Sequence, residues 1–171
     1  MTLMTLAEIN HDILIEEPRW TTILPDYESL VALSVAQIFK RIDYFPYAQG
    51  IELSITLTND THIQELNREY RGKDKPTNVL SFPQIDWVQE QESAKAPLIM
   101  LGDVIIALET IEREAQEQDK RIQDHFIHML IHSILHLCGH DHEQEAEAEE
   151  MESIEIQILS DMGIKNPYET L

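Results

Sequence analysis

Four short segments in the first two thirds of the chain have the apolar patterns of β-strands. The clearest is IELSITL at 51–57, in which isoleucines and leucines alternate with polar residues and fall on one face of a strand. Short apolar runs predict further strands at 8–15, 78–82 and 98–107, and the last is expected to be the most buried. Together these segments predict a sheet of about four strands.

Apolar residues at spacings of three and four predict helices in the remaining segments, at 26–42, 61–70, 108–118, 123–138 and 143–162. In the first helix, Val31 and Val35 belong to such an apolar stripe, and Asp26 is placed to cap its start. Thr61 followed by Gln64 matches a capping box at the start of the second helix.

The order of these elements predicts the architecture. Strands come mostly in the first two thirds, and helices are interleaved and then clustered at the end, which is typical of an α+β domain. The length of 171 residues fits one domain spanning residues 1–171. We therefore expect a small mixed four-stranded sheet packed with about five helices, with the histidine-rich helix across it. The polar segment at 86–97 is predicted to be a loop.

The composition of the chain indicates in which cellular compartment the protein is expected. The single cysteine, Cys138, excludes an intramolecular disulfide framework and a multi-cysteine zinc site, and it favours a reducing compartment. The N-terminal segment MTLMTLAEINHD has no basic residue and no sustained apolar core, so no targeting peptide is expected. The longest apolar stretch, 97–108, is interrupted by Gly102 and Asp103 and is shorter than the roughly 20 residues of a membrane span. A soluble, cytoplasmic protein is expected.

The chain is strongly acidic, with 32 aspartates and glutamates against 12 lysines and arginines and a formal net charge of −20. A field of this sign disfavours sequence-independent binding of DNA or RNA. Seven acidic residues fall between 143 and 155, where we interpret them as the solvated face of the last helix. One local positive patch at 68–75 holds four basic residues, namely Arg68, Arg71, Lys73 and Lys75.

Six of the eight histidines lie between 125 and 142. On a helix, His132 and His136 are one turn apart on one face and can bind the same metal ion, whereas residues eight apart stand about 12 Å from each other and cannot. Gly139 can take the left-handed conformation that ends a helix and turns the chain back. A third ligand is then expected from His140 or His142.

The pattern His132-x3-His136-x2-Gly139-x2-His142 has the spacing of a three-histidine zinc site with an open fourth position. Three imidazoles favour zinc, although other divalent first-row metals also fit. We therefore predict one zinc ion per chain, bound by His132, His136 and His142. An open position indicates catalysis more than a structural role.

The residues around this trio have less defined roles. His125 and His128 are interpreted as polar positions or groups that support the ligands, and Cys138 as a packed side chain. Asp141 is a candidate acceptor for an imidazole N–H, which zinc-bound histidines usually require. Metalloproteases carry a glutamate directly after the first histidine as general base, but Ser133 stands here, so a peptidase is disfavoured.

Two separated motifs carry a family resemblance. HSILHLCGHDH at 132–142 and LNREYRGKDKPTNVLSFP at 66–83, supported by LGDVIIA at 101–107 and EAEEMESIEIQIL near the C-terminus, resemble the YbeY family of bacterial endoribonucleases. The resemblance runs from about residue 50 to the C-terminus. It implies a single-domain fold, a zinc ion bound by three histidines, and cleavage of single-stranded RNA in 16S rRNA 3′-end maturation and ribosome quality control.

The resemblance also implies roles for single residues. The metal ligands of the family correspond to the three histidines just named, and its functionally important arginine corresponds to Arg71. We expect Arg71 to bind the scissile phosphate, with Lys73 and Lys75 on the neighbouring backbone. The implied partners are single-stranded RNA or rRNA and the ribosome or its small-subunit proteins, with no DNA and no membrane.

Two alternative functions stay open at this point. The first is a zinc hydrolase of another substrate class, such as a metalloprotease-like enzyme. The second is a non-catalytic, ribosome-associated binding module whose zinc is structural. Stripping a structural zinc ion should cost much folding free energy, whereas stripping a catalytic one should cost less.

Overall fold

Three parallel strands and one antiparallel strand form the centre of the computed structural model, which describes residues 7–85 and 97–169. The strands are β1 (Glu8–Ile15), β2 (Gly50–Thr58), β3 (Val79–Pro83) and β4 (Leu98–Ala107). Their order in the sheet is β1-β2-β4-β3, and β3 is the antiparallel edge strand. The predicted mixed four-stranded sheet is confirmed.

The alternation of β2 decides which face of the sheet is buried. Ile51, Leu53, Ile55 and Leu57 are all buried, and the residues between them are partly exposed. The register between β2 and β4 shifts after Glu52, so that β4 contains a bulge before Gly102. Gly102 has φ 137°, and a Cβ there would lie 2.2 Å from the carbonyl oxygen of Phe82. Only glycine therefore allows β3 and β4 to approach at this bulge.

Six helices surround the sheet in the described part of the chain. They are α1 (Arg19–Ile23), α2 (Tyr27–Arg41), α3 (Asp60–Arg71), α4 (Leu108–Glu117), α5 (Ile122–Leu137) and α6 (Glu145–Asp161). The five predicted helices are confirmed, and α1 is additional. With only five residues, α1 is too short to produce a periodic pattern. It places Trp20 in the core, where the indole N–H donates to the carbonyl of Thr58 at 2.8 Å.

The predicted helix caps are partly wrong. The side chain of Asn59, not that of Thr61, accepts the backbone N–H of His62 at 2.9 Å, so α3 begins at Asp60. Asp26 occupies the N-cap position of α2 but makes no side-chain capping bond. The expected loop at 86–97 lies outside the described residues, apart from Pro97. Of the N-terminal segment, only residues 7–12 are described.

Helix α5 packs across the sheet, as predicted. It contacts β3 and β4 on one side and α2, α4 and α6 on the others. Phe126, Leu130 and Ile134 are fully buried, so the helix presents few positions to solvent. The histidines lie along one edge of this helix, and that edge borders an open cavity. Within residues 7–85 and 97–169, no helix combines the length and apolar character of a membrane span.

Candidate metal centre

The imidazoles of His132 and His136 point at each other from successive turns of α5. Their Nε2 atoms lie 3.1 Å apart. Gly139, with φ 97°, turns the chain after the helix, and His142 then returns toward the pair. One ring nitrogen from each of the three histidines lies within 4.8 Å of the other two. The structure therefore brings together the three side chains that the spacing singled out.

The partners of the far ring nitrogens define the protonation of this pair. His132 Nδ1 lies 2.5 Å from Glu155 Oε1, and His136 Nδ1 lies 2.9 Å from the carbonyl oxygen of His140. A carbonyl only accepts hydrogen bonds, and so does an ionised carboxylate, so both Nδ1 atoms carry the proton. In their neutral forms, both imidazoles therefore direct the lone pair of Nε2 toward the space between the two rings.

This arrangement fits a divalent cation. With zinc–nitrogen bonds of about 2.0–2.1 Å and tetrahedral angles, two ligand nitrogens lie about 3.3 Å apart. The distance of 3.1 Å between the two Nε2 atoms is close to that value. A cation between them would also remove the repulsion between the lone pairs. The donor set of three neutral imidazoles suits zinc and other first-row divalent metals.

Glu155 is the carboxylate behind the site, and its side chain is fully buried. Burial opposes its ionisation, but hydrogen bonds from His128 and His132, the charge of His132 and a hydrogen bond from Tyr168 outweigh it and hold the pKa of Glu155 at about 2. His128 Nε2 lies 3.0 Å from Glu155 Oε2, and the Tyr168 hydroxyl donates to the same oxygen. Glu155 is therefore an ionised acceptor in the protein interior.

Burial, together with the positive charges of His132 and His142, lowers the pKa of His136 to about 4. His136 is therefore neutral at pH 7. A histidine must be neutral to bind a metal ion, so no proton has to be displaced from this imidazole at neutral pH.

The role of Glu155 was not predicted from the sequence, where this residue was counted in the solvated acidic face of the last helix. A signal was present, because Glu155 lies four residues after Met151 and four before Leu159, both buried on the apolar stripe of α6. The candidate acceptor Asp141 uses its carboxylate to accept the backbone N–H of His142 at 2.7 Å, whereas Nδ1 of His132 and of His136 lie against Glu155 and the His140 carbonyl. Tyr168 carried no signal in the sequence.

The other residues near the trio take supporting or structural positions. His128 supports Glu155, as one of its two interpretations allowed. His140 contributes its carbonyl oxygen to His136, whereas its imidazole Nε2 lies 2.6 Å from the Tyr44 hydroxyl and outside the trio. Burial raises the pKa of the Cys138 thiol, so this packed side chain stays protonated.

Ser133, in the position of the metalloprotease glutamate, faces the sheet. It is fully buried, and its hydroxyl oxygen lies 2.5 Å from that of Ser81 on β3. The side chain at this position therefore ties α5 to the edge strand and offers no general base to a substrate.

Arg71 is the last residue of α3 and lines the same cavity as the three histidines, a space of about 1120 Å³ that β3 and Tyr168 also border. Gly72, with φ 69°, ends the helix directly after it. Within the described ranges, Arg71 has no ion pair with a carboxylate. Its guanidinium is therefore available to an anion in the cavity. Lys73 and Lys75 are exposed but are not among the residues that line this space.

Comparisons with known proteins identify the family to which this chain is similar. A profile of the endoribonuclease YbeY family matches residues 21–163. The endoribonuclease YbeY of Rhizobium etli is 45% identical over 172 residues, which cover 96% of this chain and 95% of the relative. The protein of the same name from Paramagnetospirillum magneticum is also 45% identical, over 88% of this chain and 90% of its own.

The fold has a solved counterpart as well. The solution structure of a Thermotoga maritima protein superposes with a TM-score of 0.55 at 23% identity, covering 90% of this chain and 92% of that chain. This likeness concerns the fold, while the profile and the curated relatives concern the family. On their evidence, the chain belongs to the endoribonuclease YbeY family.

Proposed function

We propose that this protein is a zinc-dependent endoribonuclease that cleaves single-stranded RNA, with His132, His136 and His142 as metal ligands and Arg71 as the phosphate-binding residue. One observation carries the proposal. A guanidinium without an ion-pair partner in the described chain and three convergent imidazoles line the same cavity. Membership of the endoribonuclease YbeY family supports RNA as the substrate.

Arg71 binds and orients the phosphate in this proposal. A guanidinium donates two parallel charge-assisted hydrogen bonds to phosphate oxygens, which fixes the orientation of the group as well as its position. The body of the protein carries a net charge of −20, so unselective attraction of RNA is weak. Binding then depends on this local cation and on contacts made by partners.

The three histidines would hold one zinc ion beside that phosphate. The chemistry supplied by a bound divalent ion is Lewis acidity, which lowers the pKa of water and stabilises negative charge on a phosphoryl oxygen. The chain itself keeps His132 and His136 in the tautomer with a free Nε2 through Glu155 and the His140 carbonyl.

The biological role in the proposal is rRNA processing, in particular 16S rRNA 3′-end maturation, together with ribosome quality control in the cytoplasm. The family name supports a role on RNA. The net charge of −20 supports delivery by the ribosome or its small-subunit proteins, because it weakens unselective binding of free RNA.

Cleavage of a labelled single-stranded RNA by purified variants tests the proposal. We expect Arg71→Ala to lower cleavage by at least about tenfold, because a charge-assisted phosphate contact is worth about 1.5–3 kcal/mol. Arg68→Ala is the matched control on the same helix, since Arg68 is exposed and does not line the cavity. Equal loss in both variants, or none in either, would contradict the role of Arg71.

The two alternatives predict different results. A metalloprotease-like hydrolase is disfavoured by the buried position of Ser133, and it would cleave peptides with His136 intact and leave RNA uncut. A binding module with structural zinc would bind RNA or ribosomal particles without turnover. Its circular dichroism would also collapse on chelation, whereas the proposed open site leaves a folded metal-free protein.

A further inference from the structure

The chain beyond α6 returns to the metal centre. It turns at Gly163, with φ 76°, and brings Tyr168 to the wall of the main cavity. The Tyr168 hydroxyl donates to Glu155, and its ring meets the ring of His128 edge-on with centroids 5.4 Å apart. One carboxylate thus connects the C-terminal segment to the metal ligand His132.

Both carboxylate oxygens of Glu155 accept hydrogen bonds, which come from three side chains. Oε1 accepts from His132, and Oε2 accepts from His128 and Tyr168. The terminal torsion of a glutamate is intrinsically broad, so its orientation has to be set by partners. Because the two oxygens belong to one rigid plane, holding Oε2 also places Oε1.

We propose that Tyr168 is a positioning residue for the metal centre. Its hydroxyl holds Glu155 in the orientation in which Oε1 accepts the Nδ1 proton of His132, and this leaves Nε2 of His132 free and correctly aimed for a metal ion. The inference rests on the proposed metal site. Groups behind histidine ligands typically change metal affinity by about 10–100-fold when they are removed.

Tyr168→Phe tests this role, because it keeps the ring against His128 and removes only the hydroxyl. Tyr44→Phe is the matched control, since the Tyr44 hydroxyl lies 2.6 Å from the imidazole of His140, which is outside the trio. The measurements are the zinc dissociation constant by chelator competition and the visible absorption of the cobalt-loaded protein, which reports ligand geometry. Thermal unfolding of the metal-free proteins controls for general damage to the fold.

We expect Tyr168→Phe to weaken zinc binding by about tenfold and to alter the cobalt spectrum, and Glu155→Gln to weaken binding by up to about a hundredfold. Tyr44→Phe should change neither. The inference is overturned if Tyr168→Phe matches the wild type in affinity and spectrum, or if Tyr44→Phe loses as much affinity. It is also overturned if Tyr168→Phe lowers only the unfolding temperature of the metal-free protein.

The outcomes separate this inference from the proposed function. A wild-type protein that binds no zinc would overturn both. Zinc binding that depends on Tyr168, in a protein that leaves RNA uncut, would support the positioning role and contradict only the proposed ribonuclease activity.

Discussion

Two polar clusters of this protein each hold a histidine nitrogen 2.5 Å from a carboxylate oxygen, yet only one has the geometry of a metal site. In the metal centre, His132 Nδ1 contacts Glu155. In the other cluster, His62 Nδ1 contacts Glu16, near the carboxyl ends of β1 and β2. A histidine–carboxylate contact alone therefore does not distinguish the two.

We call the second group the strand-end cluster; it consists of Glu16, Glu17, Arg19, Thr58, Asp60, His62, Glu109 and Thr110. Its carboxylates accept from donors within the cluster. Asp60 accepts the N–H and hydroxyl of Thr110 at 3.1 and 2.6 Å, and Glu109 accepts from Arg19 at 2.7 Å. In the metal centre, one ring nitrogen from each of three histidines lies within 4.8 Å of the other two instead. The convergence of three imidazole nitrogens, and not the density of polar groups, marks the metal site.

The largest expected difference between the two clusters is in metal binding and RNA cleavage. His132→Ala should abolish zinc binding and lower RNA cleavage by more than about a hundredfold, because the loss of a ligand exceeds the loss of a group behind one. His62→Ala is the control and should retain both properties. Zinc titration and the cleavage assay measure these two properties. A loss of zinc binding in His62→Ala would show that the strand-end cluster also contributes to the metal site.

A smaller effect, on stability alone, is expected from Asp60→Ala in the strand-end cluster. The change leaves the N–H and hydroxyl of the buried Thr110 without their acceptor, which should cost about 1–3 kcal/mol of unfolding free energy. Urea unfolding measures this cost, with Glu65→Ala on the exposed face of α3 as the control. Zinc affinity should stay unchanged, and a weaker affinity would show that the clusters are coupled.

The smallest effect is expected from Glu17→Gln. The Arg19 side chain and backbone N–H donate to Glu17 and lower the pKa of its carboxyl. A lowered pKa stabilises the fold at pH values above the unfolded pKa of about 4.3, and this contribution is lost as the pH falls through the folded pKa. The wild type should unfold at a slightly higher temperature than Glu17→Gln at pH 7, and the two should converge once the pH falls below the folded pKa of Glu17. A difference that grows on acidification would contradict this origin.

The strands and most helices followed from local patterns. Ile51 and Leu57 alternate with polar residues along β2, and the one-turn spacing of His132 and His136 puts both rings on one edge of α5. Such periodicities express backbone geometry over a few residues, so they hold in any compact fold. The short helix α1 had too few residues to show one.

Local patterns failed where two nearby residues compete for one role. Asn59 and Thr61 are both good capping residues, and the end of β2 decides that Asn59 has the extended conformation a cap requires. Asp141 lies beside the ligands in sequence, but its own backbone geometry directs its carboxylate to the N–H of His142. Adjacency in sequence therefore did not predict which acceptor an imidazole finds.

The sequence by itself determined the three histidines, the turn at Gly139 that brings the third one back, and the family. Only the tertiary structure decided that Glu155 is buried behind His132, that Tyr168 reaches it, and that Arg71 lines the same cavity from α3. The physical reason is the range of the interactions. Helical spacing and a left-handed glycine act within a few residues, whereas burial of a carboxylate and convergence on a cavity depend on how distant segments pack.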